Sequence, residues 1–141
     1  MQKRILLVED NPGDAVLLKE AFITAGIDQN IEVATNGERA LGVLSNYADL
    51  DADERADLVL LDLNLPGLDG KEVLNSIRSN HELHTLPVIV LSSSSAPSDI
   101  TEAYDLKANA YVVKPTEMSG YLDLAKTLSE FWLDLARLPN H

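Results

Sequence analysis

Charged side chains stand directly behind short apolar runs at several points of this 141-residue chain. Residues 58–70 read LVLLDLNLPGLDG, so four apolar residues run straight into Asp62. The pair Glu9 and Asp10 follows the run ILLV, and Lys114 follows the run AYVV. A carboxylate at the rim of an apolar core is costly unless a cation or hydrogen bonds replace its lost water. We therefore expect Asp62 to lie beside other charged groups.

Five apolar runs, separated by segments with helical spacing, would position these charged side chains. Asn36-Gly37, Asp69-Gly70 and Ser98-Asp99 each open a helical segment. Asp14 and Gly26 are the expected cap and stop of the first helix. The alternation predicts an α/β fold in which five helices cover both faces of a five-stranded parallel sheet. The predicted strands cover residues 5–8, 31–34, 58–61, 88–91 and 110–113.

Three carboxylates would meet at one edge of this sheet. Ligands of such sheets bind beyond the carboxyl ends of the strands. If the first and third strands are neighbours, Glu9, Asp10 and Asp62 converge, and a hard cation such as Mg²⁺ would remove the repulsion among them. Asn64 is placed to turn its backbone carbonyl toward the same ion. The sequence therefore predicts a magnesium site.

The same edge would carry the groups needed for phosphoryl transfer. Lys114 at the end of the fifth strand would hold a phosphoryl group against the carboxylates, because neutralising charge is much of the catalysis of this reaction. Asp62 is then a candidate nucleophile that forms an acyl phosphate. A hydroxyl from the run Ser92–Ser95 would donate a hydrogen bond to the new phosphate.

The composition excludes several other classes of protein. The net charge of −12, from 23 acidic and 11 basic residues, disfavours direct binding to nucleic acid. The absence of Cys excludes disulfides and thiol catalysis. No apolar run approaches the roughly 20 residues that span a bilayer, and acids follow the first run too closely for a signal peptide. We expect a cytoplasmic protein with no membrane partner. His81 and His84 have the wrong spacing for a zinc motif and predict a plain loop.

Four stretches in this order and spacing resemble the receiver domain of two-component response regulators: ILLVEDNPGD, LVLLDLNLPGLDG, LPVIVLSSSS and ANAYVVKP. The resemblance covers nearly the whole chain and implies a flavodoxin-like sheet of order 2-1-3-4-5. It also implies a single receiver domain over residues 1–141 with an extended C-terminal helix. DNPGDAVLLKEAF, LSSSSAPSDITEAYDLKANAYVVKP, and the FWL and LP near the end are most similar to single-domain regulators of bacterial and cyanobacterial phytochrome-type kinases.

The resemblance assigns the metal and acceptor roles residue by residue. Asp62 becomes the phosphoacceptor, which takes its phosphoryl group from a sensor histidine kinase. Glu9 and Asp10 become the acidic pair that holds Mg²⁺, and Asn64 supplies a carbonyl ligand. The implied protein is a signalling protein and not an enzyme, since it assists only its own phosphorylation and dephosphorylation.

The resemblance also assigns the switch residues. Ser92 becomes the hydroxyl switch, Tyr111 the aromatic switch, and Lys114 the lysine that contacts the phosphate. The bond between Lys114 and Pro115 matches the family's cis-peptide position. With no output domain expected after Leu138, the signal would pass through another protein.

Two other functions compete with this interpretation. A haloacid-dehalogenase-type phosphatase also uses an aspartate nucleophile after an apolar strand, but it carries a second acid two residues on, where this chain has Asn64. Its nucleophile also lies on the first strand and not on the third. A receiver-like binding module that is never phosphorylated is disfavoured by the complete set of Glu9, Asp10, Asp62 and Lys114.

The last helix carries two apolar stripes where a helix on one sheet needs one. A helix of about 23 residues would be about 34 Å long and would overhang the strands. The alternative is that its last turn folds back over its own core. We predict a homodimer through the fourth helix, the fifth strand and the fifth helix. The predicted interface residues are Tyr121, Leu124, Leu128, Phe131, Trp132 and Leu135.

Overall fold

Five parallel strands form one sheet in the order β2-β1-β3-β4-β5 in the computed structural model, which describes residues 3–139. This order and the strand positions confirm the predicted fold, with boundaries that differ from the expected ones by one residue at most. The predicted domain of residues 1–141 includes four residues, 1–2 and 140–141, that lie outside the described part. The strands are β1 Arg4–Val8, β2 Asn30–Ala34, β3 Leu58–Leu61, β4 Val88–Ser92 and β5 Ala110–Val113.

Five α-helices connect or follow the strands, namely α1 Pro12–Thr24, α2 Gly37–Ser45, α3 Gly70–Ser79, α4 Pro97–Asp105 and α5 Met118–Thr127. Asn36 and Asp69 cap α2 and α3 with their side chains, as predicted. The cap of α1 is Asn11, whose side chain accepts a hydrogen bond from the backbone of Asp14. Two short 3₁₀ helices, Tyr47–Asp49 and Ala52–Glu54, occupy the acidic segment before β3.

Alternate residues of the strands face two separate apolar cores, one on each side of the sheet. Leu6 and Val8 of β1 pack in the core beneath α2, α3 and α4. Ile5 and Leu7 pack in the core beneath α1 and α5. All four side chains of β3 are at most 1% exposed, since this central strand is covered on both faces. The apolar run that ends at Asp62 is therefore the central strand, buried between the two cores.

The C-terminal helix changes its geometry where the sequence predicted a continuous α-helix. Ten residues of α5 are followed by a π-helix, Leu128–Leu135, and Ala136 donates to the carbonyl of Phe131, five residues back. The wider π turn makes Leu133, five residues after Leu128, the next buried side chain. The predicted stripe with α-helical spacing therefore does not continue.

Burial in the core corrects part of the predicted interface. Tyr121 and Leu128 are each 2% exposed, because they fill the core beneath α5, and they cannot meet a partner. Leu124 and Trp132 are half-buried against the same core. Phe131 and Leu135 stay exposed, at 48% and 72%. Exposed apolar surface is therefore present at the end of the C-terminal helix, but it comprises fewer residues than predicted.

None of the helices within residues 3–139 has the length and apolar character that a bilayer crossing requires.

A partly buried arginine connects the segments at the end of the sheet opposite to the charged residues. The guanidinium of Arg78 donates hydrogen bonds to the carbonyls of His84, Leu86 and Lys107, and to the side chain of Asn109. These contacts join the end of α3 to the segments that lead into β4 and β5. Lys107 has a positive φ of 72°, which its carbonyl contact with Arg78 helps to hold.

Replacement of Arg78 by Ala should lower the free energy of unfolding by about 1.5–3 kcal/mol, because three carbonyls and the Asn109 side chain would lose a charged donor. Urea unfolding measures the change. Arg39→Ala, at an exposed position of α2, is the matched control and should change stability by less than about 0.5 kcal/mol. An Arg78→Ala midpoint equal to that of the native chain would show that these hydrogen bonds are not stabilising.

Candidate functional site

The ends of β1 and β3 bring three carboxylates together at the carboxyl edge of the sheet. Val8 pairs with Leu61 in the parallel register, so the residues that follow them are neighbours. Glu9 and Asp62 are buried, at 3% and 5% exposed, whereas Asp10 is exposed. Carboxylate oxygens of Glu9, Asp10 and Asp62 all lie within 4.8 Å of one another. The sequence predicted this convergence on the condition that the first and third strands are neighbours, and the observed strand order meets that condition.

Lys114, which follows β5, reaches across the sheet to these carboxylates. Its ammonium group lies 2.7 Å from Glu9 Oε1 and 3.0 Å from Asp62 Oδ2. It also donates to Asp14 Oδ2 at 3.0 Å. The Lys114 side chain is only 11% exposed, so little water screens these contacts. The predicted lysine therefore lies at the centre of the acidic group.

Asp14 is a member of the site that sequence reasoning missed. Its position in the first turn of α1 led to its interpretation as a helix cap. The cap is Asn11, which leaves the Asp14 carboxylate to contact Lys114. The available signal was the spacing in DNPGD, which places an acid four residues after Asp10, at the start of the helix that follows β1.

The charges of the site shift two pKa values in the same direction for different reasons. Burial raises the pKa of Glu9 to about 7, and Asp62 adds to this rise while the Lys114 hydrogen bond opposes it. Burial alone would lower the pKa of Lys114, but hydrogen bonds with Glu9, Asp14 and Asp62 outweigh it and raise that pKa. The lysine is therefore firmly charged.

The loop between β3 and α3 forms one wall of the site. Asn64 is exposed, and its backbone N–H donates to Asp62 Oδ1 at 3.0 Å. The N–H of Gly70 donates to the carbonyl of Leu63 at 3.0 Å. A Cβ atom at Gly70 would lie 2.2 Å from the Asp62 carbonyl, so only glycine fits there. An open cleft of about 510 Å³ is lined by Asp10, Leu63, Asn64, Leu65, Pro66, Asp69 and Lys71.

The donor atoms at this edge suit a hard divalent cation. Three carboxylates offer only oxygen, which is the donor that Mg²⁺ accepts, and Asp10 faces the cleft. His81 and His84 stack on each other in the turn before β4, with ring centroids 6.0 Å apart. Neither belongs to the groups of metal-binding side chains found within residues 3–139. The residues present therefore fit the magnesium site that the sequence predicts.

Ser92 and Tyr111 are linked through one residue of the loop after β4. Ser92 is fully buried at the end of β4, and its hydroxyl oxygen accepts from the backbone N–H of Ser94 at 3.2 Å. The Tyr111 hydroxyl donates to the carbonyl of Ser94 at 2.8 Å. The Ser94 hydroxyl in turn donates to Asp99 of α4 at 2.6 Å. A movement of Ser92 would therefore alter contacts of the loop with both β5 and α4.

The expected cis bond between Lys114 and Pro115 is absent, as no cis peptide bond occurs among the described residues. The trans isomer is intrinsically lower in free energy by about 0.5–1 kcal/mol. In the trans form the N–H of Lys114 donates to the Ser92 carbonyl at 2.7 Å, and its side chain meets all three of its carboxylate partners. The local contacts are thus satisfied without the cis form.

Comparison with known proteins agrees with this geometry. The family model for the response regulator receiver domain matches residues 5–126. Response regulator Rcp1 of Synechocystis sp. is 36% identical over 137 residues, which cover 97% of this chain and 93% of Rcp1. A crystal structure of the Mn²⁺-bound form of Rcp1 has a TM-score of 0.84 at 36% identity and covers 97% and 99% of the two chains.

A solved structure of a phosphorylated relative is also similar. The phosphorylated cyanobacterial phytochrome response regulator RcpA has a TM-score of 0.88 and 40% identity, with 99% of each chain covered. These likenesses confirm the family and the similarity to phytochrome response regulators that the sequence motifs predicted. The chain therefore belongs to the response regulator receiver domain family, the signalling proteins that accept phosphoryl groups from histidine kinases.

Proposed function

We propose that Asp62 is the residue that accepts the phosphoryl group. The observation that carries this proposal is the position of its two carboxylate oxygens. Oδ2 accepts from Lys114 and Oδ1 accepts from the backbone of Asn64, which itself lines the open cleft. The side chain is thereby held in one orientation at the end of the central strand, as in-line attack on phosphorus requires.

The transfer breaks one bond and forms another. An oxygen of Asp62 attacks the phosphorus of a phosphohistidine, an O–P bond forms, and the electron pair of the breaking N–P bond returns to the imidazole of the kinase. Lys114 neutralises charge on the phosphoryl oxygens from its place between Glu9 and Asp62. Mg²⁺ bound by Glu9, Asp10, Asp62 and the Asn64 carbonyl would add further neutralisation of the same charge.

Ser92 and Tyr111 would transmit the change to the surface. When the Ser92 hydroxyl turns to the phosphate, the Ser94 N–H loses its acceptor and the loop after β4 shifts. Tyr111 then loses the Ser94 carbonyl to which it donates. Phosphorylation in this scheme shifts the balance between two arrangements of the loop. The chain itself catalyses only its own phosphorylation and dephosphorylation.

The kinase partner that we propose is a phytochrome-type histidine kinase. RcpA, a phytochrome response regulator, resembles this chain over nearly its full length. Leu63 and Asn64, the two residues after Asp62, line an open cleft along which a protein-bound phosphohistidine would approach. Cytoplasmic location follows from this partnership, because the donor domain of a histidine kinase lies in the cytoplasm.

Replacement of Asp62 by Asn should abolish hydroxylamine-sensitive labelling by acetyl phosphate or by a histidine kinase in the presence of Mg²⁺, because an amide cannot form the acyl phosphate. Phosphate incorporation into the purified chain measures this. Asp123→Asn, an exposed acid on α5, is the control and should label normally. Full labelling of the Asp62→Asn chain would exclude Asp62 as the acceptor.

Replacement of both Glu9 and Asp10 by Ala should weaken Mg²⁺ binding more than about 100-fold, since loss of direct ligands exceeds the effect of losing their outer neighbours. Calorimetric titration with Mg²⁺ measures the dissociation constant. The matched control is Asp51→Ala with Asp53→Ala, from an exposed acidic group on the second 3₁₀ segment. Unchanged affinity in the Glu9, Asp10 variant would place the metal elsewhere.

We also propose a homodimer on the face formed by α4, β5 and the C-terminal helix. Each of these elements exposes large apolar side chains, namely Tyr104 on α4, Val113 on β5, and Phe131 and Leu135 on the π-helix. The exposed fractions of the first three lie between 45% and 48%. The hydroxyl of Tyr104 accepts from the backbone of Tyr111, so the face is in contact with the proposed switch.

The variant Phe131→Glu, Leu135→Glu should be monomeric at concentrations where the native chain is dimeric, because two charges would be buried without partners. Sedimentation equilibrium with and without phosphodonor measures the mass. Val16→Glu, at an exposed apolar position of α1, is the matched control and should leave the dimer intact. A native chain that stays monomeric at high micromolar concentration in both states would refute the dimer.

A further inference from the structure

The first turn of α2 holds the middle of the loop that walls the metal-binding cleft. Glu38 is the second residue of α2, and its Oε1 accepts from the backbone N–H of Leu68 at 3.0 Å. Leu68 lies 30 positions further along the chain, in the loop between β3 and α3. The contact therefore joins two elements that the sequence places far apart.

The backbones of these two segments are packed too closely for any side chain to separate them. A Cβ atom at Gly37 would lie 2.4 Å from the carbonyl oxygen of Leu68, so the start of α2 rests directly on the loop. Gly67 has a positive φ of 69°, and a Cβ atom there would lie 3.0 Å from Glu38 Oε1. The turn at Gly67 thus delivers the N–H of the next residue to the Glu38 carboxylate.

Asn64 lies near the start of the same loop. The two ends of the loop are fixed by hydrogen bonds near Asp62, one from Asn64 and one from Gly70 to the carbonyl of Leu63. In its middle, Leu65 and Pro66 line the cleft that Asp10 also lines, and Gly67 and Leu68 follow them directly. Glu38 supplies a hydrogen bond from another element to this middle part, and so limits how far the loop can swing from the carboxylates.

The Glu38 carboxylate is suited to a permanent acceptor role. Its hydrogen bonds from the backbone of Leu68 and from its own N–H lower its pKa, so it is ionised at neutral pH. An acid in the first turn of a helix is also favoured by the helix dipole. The side chain is exposed and lies outside the group of carboxylates that contact Lys114.

We propose that Glu38 is a positioning residue for the metal site, acting through Leu68 to set the orientation of the Asn64 carbonyl. This inference rests on the proposed function, which supplies the role of Asn64. Glu38 does not touch the metal or the phosphoryl group. Its hydrogen bond to Leu68 limits the movement of the loop, and the loop carries the Asn64 carbonyl, which is the proposed ligand. Outer residues of this kind act on metal affinity through the geometry of the ligand that they support.

The test compares Glu38→Ala with Glu38→Gln in the full chain. Alanine removes the acceptor, whereas glutamine keeps an oxygen that can accept from Leu68 and removes only the charge. Glu72→Ala, an exposed acid in the first turn of α3, is the matched control for charge and helix dipole. Measurements are the dissociation constant for Mg²⁺ alone, the rate of labelling by acetyl phosphate, hydrogen exchange at the Leu68 amide, and the urea midpoint.

Glu38→Ala should weaken Mg²⁺ binding by about tenfold, at the low end of the range for outer residues, and should expose the Leu68 amide to exchange. Glu38→Gln should restore both, and Glu72→Ala should change neither. The urea midpoints should agree closely, so that a general loss of stability is not the cause. Labelling of Glu38→Ala should recover at saturating Mg²⁺, because the acceptor itself is intact.

Three results would overturn the inference. Native Mg²⁺ affinity in Glu38→Ala would show that the hydrogen bond has no effect on the site. Equal weakening in Glu38→Gln with a protected Leu68 amide would assign the effect to charge. A native chain that binds no Mg²⁺ would remove the proposed function and this inference together, whereas the first two results leave the proposed function standing.

Discussion

The arrangement of the functional site depends on the contacts of one buried ammonium group, that of Lys114. Lys114 meets Glu9, Asp14 and Asp62 at distances between 2.7 and 3.0 Å. Removal of one partner from such a buried group generally costs about 3–5 kcal/mol, because the remaining charges lose their compensation. The lysine follows β5, whereas its partners follow β1 and β3 or begin α1. The site therefore exists only when the whole sheet is assembled.

The sheet order gives this constraint its geometry. In a parallel sheet all carboxyl ends meet at one edge, and the order β2-β1-β3-β4-β5 places β1 beside β3. β4 separates β3 from β5, and it contributes Ser92, whose carbonyl accepts from the backbone of Lys114. The strand that ends in the proposed phosphate-sensing residue thus lies between the strands that precede the acceptor and the lysine. From Ser92 the contacts continue through Ser94 to Tyr111 and Asp99, which lie on the proposed output face.

Sequence reasoning predicted those parts of the molecule that depend on local pattern. The strands agree within one residue, because continuous apolar runs mark strands that are buried on both faces. The convergence of Glu9, Asp10, Asp62 and Lys114 followed from strand order. Asp14 was missed, since an acid in the first turn of a helix is usually explained by the helix itself, and its sequence position alone did not indicate the contact with Lys114. The change from α-helix to π-helix after Thr127 depends on how the end of the helix packs. The spacing of apolar residues in the sequence could not reveal it.

The chemistry beside Asp62 explains why this arrangement suits an acceptor better than a phosphatase. A phosphatase must activate a water against the acyl phosphate, which needs a free general base. The Glu9 carboxylate forms an ion pair with Lys114. The position two residues after Asp62 carries the amide side chain of Asn64 in place of an acid. The backbone of Asn64 instead donates to Asp62 Oδ1. Such a site orients the nucleophile and neutralises charge, which is what an acceptor of a phosphoryl group requires.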